Sequence, residues 1–312
     1  MTRRDGLLLR LDDNAGRVGW GDVCPLPGFS VDTLEEAESS LRWWMEDGDD
    51  SALTPSARAA LDGARLDLDA QARGVTMAEA LRPGAASTVQ MQALLVRDDP
   101  ADARSLRAAG YRAVKMKVGG DPRADAARVR AVADALGPNV TLRLDANRAW
   151  RWDDARRFAD AVRGVALGYV EEPLADPARL PDLVRDTGLP VALDESLQDL
   201  APGDLARHGY AVAVVLKPVV LGGVRRALAW ADAARALGLD AVVSGAFESG
   251  VGTRHALALA AALGGGPAGL DPYRRLAADV LAPRLGLGGP VADVAETMAS
   301  AVFLPDPRTE LP

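Results

Sequence analysis

Val114-Lys115-Met116-Lys117-Val118 sets two lysines among apolar, partly β-branched neighbours, and four later stretches repeat the theme of an apolar run ending in a charge. They are Leu142-Arg143-Leu144-Asp145-Ala146-Asn147, Tyr169-Val170-Glu171-Glu172-Pro173, Ala192-Leu193-Asp194-Glu195-Ser196 and Val215-Leu216-Lys217-Pro218. The steps from Lys117 through Asp145, Glu171 and Asp194 to Lys217 are 28, 26, 23 and 23 residues. Short apolar runs of this kind read as buried parallel strands, and a strand with its returning helix takes roughly 30 residues. The spacing therefore predicts one functional group at the carboxyl end of each successive strand of a parallel barrel, where active sites of that fold gather.

Working outward, the same beat predicts strands at 88–96, 112–118, 140–145, 168–171, 190–194, 211–216, 240–244 and 269–271, with Ala/Arg/Asp-rich helical segments between them. Strand–helix alternation implies a parallel α/β sheet, and eight strands imply a closed barrel, over 87–271. A doubly wound sheet is the structural alternative, disfavoured because no Gly-rich phosphate turn follows the first strand. Ahead of the barrel, 6–12 and 16–23 read as a hairpin around Asp13-Asn14-Ala15-Gly16, and Pro25-Leu26-Pro27-Gly28-Phe29-Ser30 as a loop. Residues 33–45 read as a helix with Thr33 as N-cap and Glu36 three positions on, and 56–74 as a second, with Arg58, Asp62, Arg65, Asp69 and Arg73 on a solvated face. Residues 1–86 thus form a small α+β domain. The beat is lost over 272–312, a segment expected to pack on the small domain or the barrel base.

The 312 residues carry a net charge of −8, acids and bases are interspersed, and 48% of residues are hydrophobic. This describes a globular chain without the basic face a nucleic acid requires; a small anion can still be held by local lysines or a cation. Cys24 is the only cysteine, so there is no internal disulfide. No apolar run approaches the ~20 residues of a membrane span, and Leu7-Leu8-Leu9 is too short for a signal peptide. The chain reads as cytoplasmic, with a small anionic substrate as partner and neither nucleic acid nor membrane.

Lys115 and Lys117 lie two apart on a strand and so share a face. Mutual repulsion and desolvation are expected to lower a lysine pKa there and to free a neutral base. Asp145, Glu171 and Asp194 are candidate ligands for Mg²⁺, with Mn²⁺ a possible substitute, because hard cations take oxygen donors. Zinc is disfavoured, since Cys24, His208 and His255 share no motif. The alternative for each acid is a simple helix cap. Lys217 is expected roughly opposite Lys117; imine formation is its competing role. Glu172 and Glu195 point away and are assigned secondary roles. The small residues of 244–252, with Ser244, Ser249 and Gly250, are expected to leave backbone N–H groups open to an anion. His255 reads as structural, and Cys24 as a buried, unactivated thiol.

These stretches, with Gly19-Trp20-Gly21-Asp22, the 25–30 loop and the run from Arg143 to Trp150, resemble the enolase superfamily and, within it, the o-succinylbenzoate synthases. The resemblance covers most of the chain. It implies an α+β capping domain over a modified (β/α)7β TIM barrel. It implies Mg²⁺ on Asp145, Glu171 and Asp194, Lys117 as the base, Lys217 opposite it and Lys115 assisting. It also implies substrate contacts from Phe29, Ser30, Arg143, Ser244, Ser249 and Gly250, with the loop around Phe29 closing over the site. The reaction implied is a carbon–oxygen lyase dehydration in menaquinone biosynthesis. Relatives usually carry another strand ahead of the segment beginning at Arg4, so either a reduced capping sheet or a late start is expected. Asp22 stands where Glu is more usual, and Phe247-Glu248-Ser249-Gly250 is a less typical loop. The alternatives are an N-acylamino-acid racemase or another lysine-dependent relative, and a barrel that only binds anions. An epimerase would favour an acidic motif after the sixth strand, and Val219-Val220-Leu221-Gly222-Gly223 carries none.

Overall fold

The computed structural model describes residues 4–299; the expectations for 1–3 and 300–312 fall outside the described residues. β1 (Leu7–Asp12) and β2 (Val18–Val23) pair antiparallel around the Asp13–Gly16 turn. Helices α1 (Leu34–Asp47), α2 (Pro55–Arg73) and the short α3 (Met77–Leu81) follow. Thr33 and Glu36 form the expected capping box at the start of α1, and Gly48 ends it at φ 77°. β2 lies directly on α2. A Cβ on Gly19 or Gly21 would come within 2.2 or 2.0 Å of the Ala64 or Ala60 carbonyl oxygen, so the close approach requires glycine.

Two short strands then precede the alternation, β3 (Thr88–Gln90) and β4 (Gln92–Leu95), where the sequence reading expects one strand over 88–96. The division arises because β3 pairs outside the barrel, antiparallel to β11 (Val291–Asp293), whereas β4 pairs inside it. After β4 come α4 (Pro100–Ala108), β5 (Ala113–Lys117), α5 (Pro122–Leu136), β6 (Thr141–Asp145), α6 (Trp152–Ala161), β7 (Leu167–Glu171), α7 (Leu180–Thr187) and β8 (Val191–Leu193). The series continues with β9 (Ala213–Leu216), α8 (Pro218–Leu221), α9 (Val224–Ala236), β10 (Asp240–Val243) and α10 (Gly250–Ala262), and α11 (Val294–Ala299) follows β11. The order β10-β9-β8-β7-β6-β5-β4 is parallel throughout.

Residues 268–269 close this sheet into a barrel. On one edge the Gln92 N–H donates to Ala268 O (2.8 Å) and the Ala268 N–H to Gln90 O (2.9 Å). On the other edge the Gly269 N–H donates to Val243 O (2.8 Å). The eighth strand position is therefore present as single bridges on each side rather than a full strand. Alternating residues divide the two faces of the barrel. Val114 and Met116 are buried in the layer beneath the helices, while Tyr169, Ala192, Ala213, Val215 and Val242 form a separate interior cluster. Burial of this apolar surface is the main force holding the layers together.

The cap is fixed to the barrel through α2. The expected solvated face of α2 is wrong at Asp62. Its Oδ2 accepts the Arg225 N–H at the start of α9 (2.9 Å), and its Oδ1 lies 2.7 Å from Arg225 Nη1. Gly63 receives the buried His255 ring of α10, and burial pushes that imidazole down to about 3, which makes it a neutral packing group. Among the described residues no helix is long and apolar enough to cross a membrane.

Candidate active site

The parallel register sets Lys117 beside Asp145 and Asp145 beside Glu171, so the charged ends of β5, β6 and β7 stand in one row. Asp194 follows β8 and Lys217 follows β9. Lys115 Nζ lies 2.7 Å from Glu171 Oε2 and 2.9 Å from Asp145 Oδ2. Lys117 Nζ lies 3.5 Å from Asp145 Oδ2 and donates to Asn147 Oδ1 at 2.6 Å. Lys217 Nζ donates to Asp194 Oδ2. Of the three lysines, Lys117 is the one open to a ligand: its side chain is 62% exposed, against 12% for Lys115 and 11% for Lys217.

The electrostatics separate the groups. Burial disfavours the charged form of Lys115, but Glu171 and Asp145 outweigh it and raise its pKa well above the usual lysine value. At Lys115 the carboxylates on the neighbouring strands therefore reverse the lowering that burial and a second lysine alone would give. Burial works to raise Asp145 too, yet Lys115 and Lys117 hold it below its usual range. Burial, reinforced by Asp145 and Asp194, pushes the Glu171 carboxyl up to about 7 even though Lys115 pulls it down.

The three acids suit a hard divalent cation in donor chemistry: all are carboxylates at neighbouring strand ends, and the buried Glu171 Oε1 has no hydrogen-bond partner. Among the described residues, no three acidic, thiol or imidazole side chains form a ready-made metal cluster. Lys115 lies between Asp145 and Glu171, and Lys217 is on Asp194. A cation on these oxygens would require both lysine heads to move aside.

Around this row the backbone is strained. Asn147, Arg148 and Glu172 have φ of 44°, 57° and 38°, a region that costs non-glycine residues roughly 1–3 kcal/mol each. Glu172 holds the turn together: it accepts from Asp194 N (3.1 Å) and Ser196 N (2.8 Å) and pairs with Arg148 Nε (3.2 Å). Asn147 is a residue the sequence reading missed. Its Nδ2 donates to Glu195 Oε1 at 3.3 Å, linking the ends of β6 and β8. Its position two residues after Asp145, and the tolerance of Asn for positive φ, were the available signals.

The expected substrate contacts divide. Phe29 is at the site, with its ring centroid 3.8 Å from Lys217 Nζ and its carbonyl accepting from Gln198 Nε2 at 3.1 Å. Ser30 instead braces its own loop, its Oγ accepting from Leu26 N at 2.9 Å. Arg143 does not reach the strand ends. It is one pleat below Asp145, inside the barrel, donating to Gln92 Oε1 (2.7 Å) and Pro267 O (3.0 Å) beside Tyr169. Ser244 Oγ is buried against Gly269 O at 3.3 Å, in the barrel closure.

The N–H groups of Ser249 and Gly250 are not open to an anion, because carboxylates already hold them. Asp22 Oδ2 accepts from Ser249 N (2.8 Å) and Oγ (2.9 Å), and Asp279 Oδ1 from Gly250 N (2.8 Å). Glu248 Oε2 accepts from Ala246 N at 2.6 Å, and burial pushes Glu248 up to about 7. Burial likewise raises Asp22 and the Cys24 thiol.

The chain is similar to known proteins over most of its length. Residues 98–285 match the enolase C-terminal domain-like family, and residues 1–68 match the MenC N-terminal domain. The chain is 35% identical over 269 residues to the o-succinylbenzoate synthase of Klebsiella pneumoniae (strain 342), covering 84% of this chain and 80% of that protein. It is 33% identical over 298 residues to that of Yersinia pseudotuberculosis serotype O:3 (strain YPIII), covering 91% and 87%. The crystal structure of a dipeptide epimerase from Enterococcus faecalis V583, complexed with Mg and the dipeptide L-Leu-L-Tyr, superposes with a TM-score of 0.81 at 26% identity over 93% of this chain and 91% of that one.

Proposed function

Since this chain belongs to the o-succinylbenzoate synthase family of the enolase superfamily, we propose that the row of strand-end charges dehydrates 2-succinyl-6-hydroxy-2,4-cyclohexadiene-1-carboxylate to 2-succinylbenzoate and water. The enzyme is a dehydrating lyase of menaquinone biosynthesis. One observation carries the assignment of roles: a single exposed lysine, Lys117, stands beside three buried strand-end acids.

Asp145, Glu171 and Asp194 would hold Mg²⁺, with Mn²⁺ as substitute. Bound there, the cation supplies positive charge to the ring carboxylate and to the negative charge that builds on it when the α-proton leaves. The remaining work falls to side chains. Lys117, neutral, takes the α-proton from the ring carbon. As an ammonium it then returns a proton to the departing hydroxyl on the same face, giving a syn elimination. Lys217 would offer positive charge on the opposite side, and Lys115 another beside the base. Phe29 covers Lys217 and helps exclude water from the developing charge.

The test is dehydration of the cyclohexadiene by the purified protein with Mg²⁺, followed by diene absorbance. Loss of absorbance that stops on chelation supports this reading, and a flat trace from folded protein opposes it. A second reading, 1,1-proton transfer on an N-acylamino acid or dipeptide, is favoured by the paired lysines and the likeness to the epimerase. It predicts α-deuterium incorporation into such substrates without dehydration of the diene.

A further inference from the structure

We propose that Arg4 is the positioning residue that fastens the 24–30 loop over the strand ends, by joining it to the loop after β10. This rests on the reading of the site given above. Arg4 lies just ahead of β1 and is half-buried. Its Nη1 donates to Pro25 O and its Nη2 to Cys24 O, each at 2.5 Å. Its Nε donates to Phe247 O at 3.2 Å, and Nη2 reaches Ala246 O at 3.5 Å. Two of these carbonyls belong to the root of the covering loop and two to the barrel.

A planar guanidinium presents five N–H donors in a fixed fan, so it can satisfy carbonyls from two segments at once; an ammonium cannot hold the same geometry. The guanidinium also acts on the buried acids Asp22 and Glu248, which burial raises and Arg4 pulls back down. Beyond the root, the loop is stiff: Ser30 N donates to Leu26 O (2.8 Å), and Ser30 Oγ accepts from Leu26 N. Movement at Cys24 and Pro25 would thus carry Leu26–Ser30 as a unit and lift the Phe29 ring from Lys217. Nothing in Arg4 touches the reacting groups, so its effect is exerted through Phe29.

Two measurements on full-length Arg4→Met and Arg4→Lys test this. Hydrogen exchange is read at 24–30, with α2 amides as control. Kinetics are read with the cyclohexadiene and Mg²⁺. In Arg4→Met, amides of 24–30 should exchange about tenfold faster while α2 is unchanged. KM should rise about threefold, no more than in Phe29→Ala, with kcat falling less than about threefold. Arg4→Lys should fall between. Exchange at 24–30 unchanged from the native protein, or accelerated equally in α2, would overturn the proposal. If Arg4→Met does not fold, Arg4→Lys is read for the same two outcomes. Exchange needs no substrate, so it decides the role of Arg4 even if the diene is not turned over; in that event the assigned reaction fails instead.

Discussion

Two parts of the barrel rim bury acids in opposite ways. At the ends of β5–β9, Asp145, Glu171 and Asp194 face the side-chain ammonium groups of Lys115, Lys117 and Lys217. Around the loop after β10, Glu248 accepts from Ala246 N, Asp22 of β2 from Ser249 N and Oγ, and the half-buried Asp279 from Gly250 N and the Tyr273 hydroxyl. A lysine head can swing away and leave its carboxylate to a cation, whereas a backbone N–H cannot leave without unfolding its loop. The first arrangement gathers mobile side chains of both signs around one opening, as a site for a charged ligand needs. The second suits fixing the cap to the barrel. Burial and charge alone do not separate the two; the nature of the partner does.

The largest expected effect tests the first region. Lys117→Ala should reduce dehydration by at least about 10³-fold, with the circular dichroism spectrum unchanged, since a positioned general acid–base is worth roughly 10²–10⁴-fold and here one lysine serves in both directions. Near-normal turnover would break the assignment. Asp194→Asn should weaken Mg²⁺ binding by calorimetry, by about tenfold or more; unchanged affinity would remove Asp194 from the ligand set.

The second region is read through stability. The Glu248 carboxyl is raised to about 7 in the folded protein from an ordinary value of 4.5. Between those values the folded state binds more protons, so this group's contribution is full below pH 4.5 and is lost as pH rises through 7. The loss is about 3 kcal/mol at most. Glu248→Gln should remove that part of the pH dependence of urea unfolding, measured between pH 5 and 8 against the native protein; parallel profiles would contradict it. The smallest effect belongs to the covering loop. Phe29→Ala should cost about 1 kcal/mol, seen as a several-fold rise in KM, by removing the ring from Lys217.

The two regions also differed in how well they could be read from sequence. Lys115, Lys117, Asp145, Glu171, Asp194 and Lys217 are set at strand ends by a repeating beat, and periodicity reveals such residues before any contact is known. The barrel itself was legible for the same reason. The expected strands at 112–118 and 140–145 correspond to β5 and β6, trimmed by one or two residues. The second region has no period. Asp22 meets Ser249 across 227 residues and Arg4 meets Phe247 across 243, so neither partner is visible from its neighbours in the chain. The small residues of 244–252 suggested open N–H groups because composition shows the donors but not the acids that arrive from elsewhere. Arg143 was misplaced for a different reason. Alternation put it correctly on the inner face with Asp145, but not at the depth where it meets Gln92 and Pro267.

The central claim is that the row of strand-end carboxylates and lysines holds Mg²⁺ and dehydrates the cyclohexadiene carboxylate. The most direct measurement is the ultraviolet trace of that diene with purified protein and Mg²⁺, with and without EDTA. Rapid loss of diene absorbance that EDTA abolishes and added Mg²⁺ restores is the predicted result. A flat trace from folded, Mg²⁺-binding protein, or a rate indifferent to EDTA, would contradict the account.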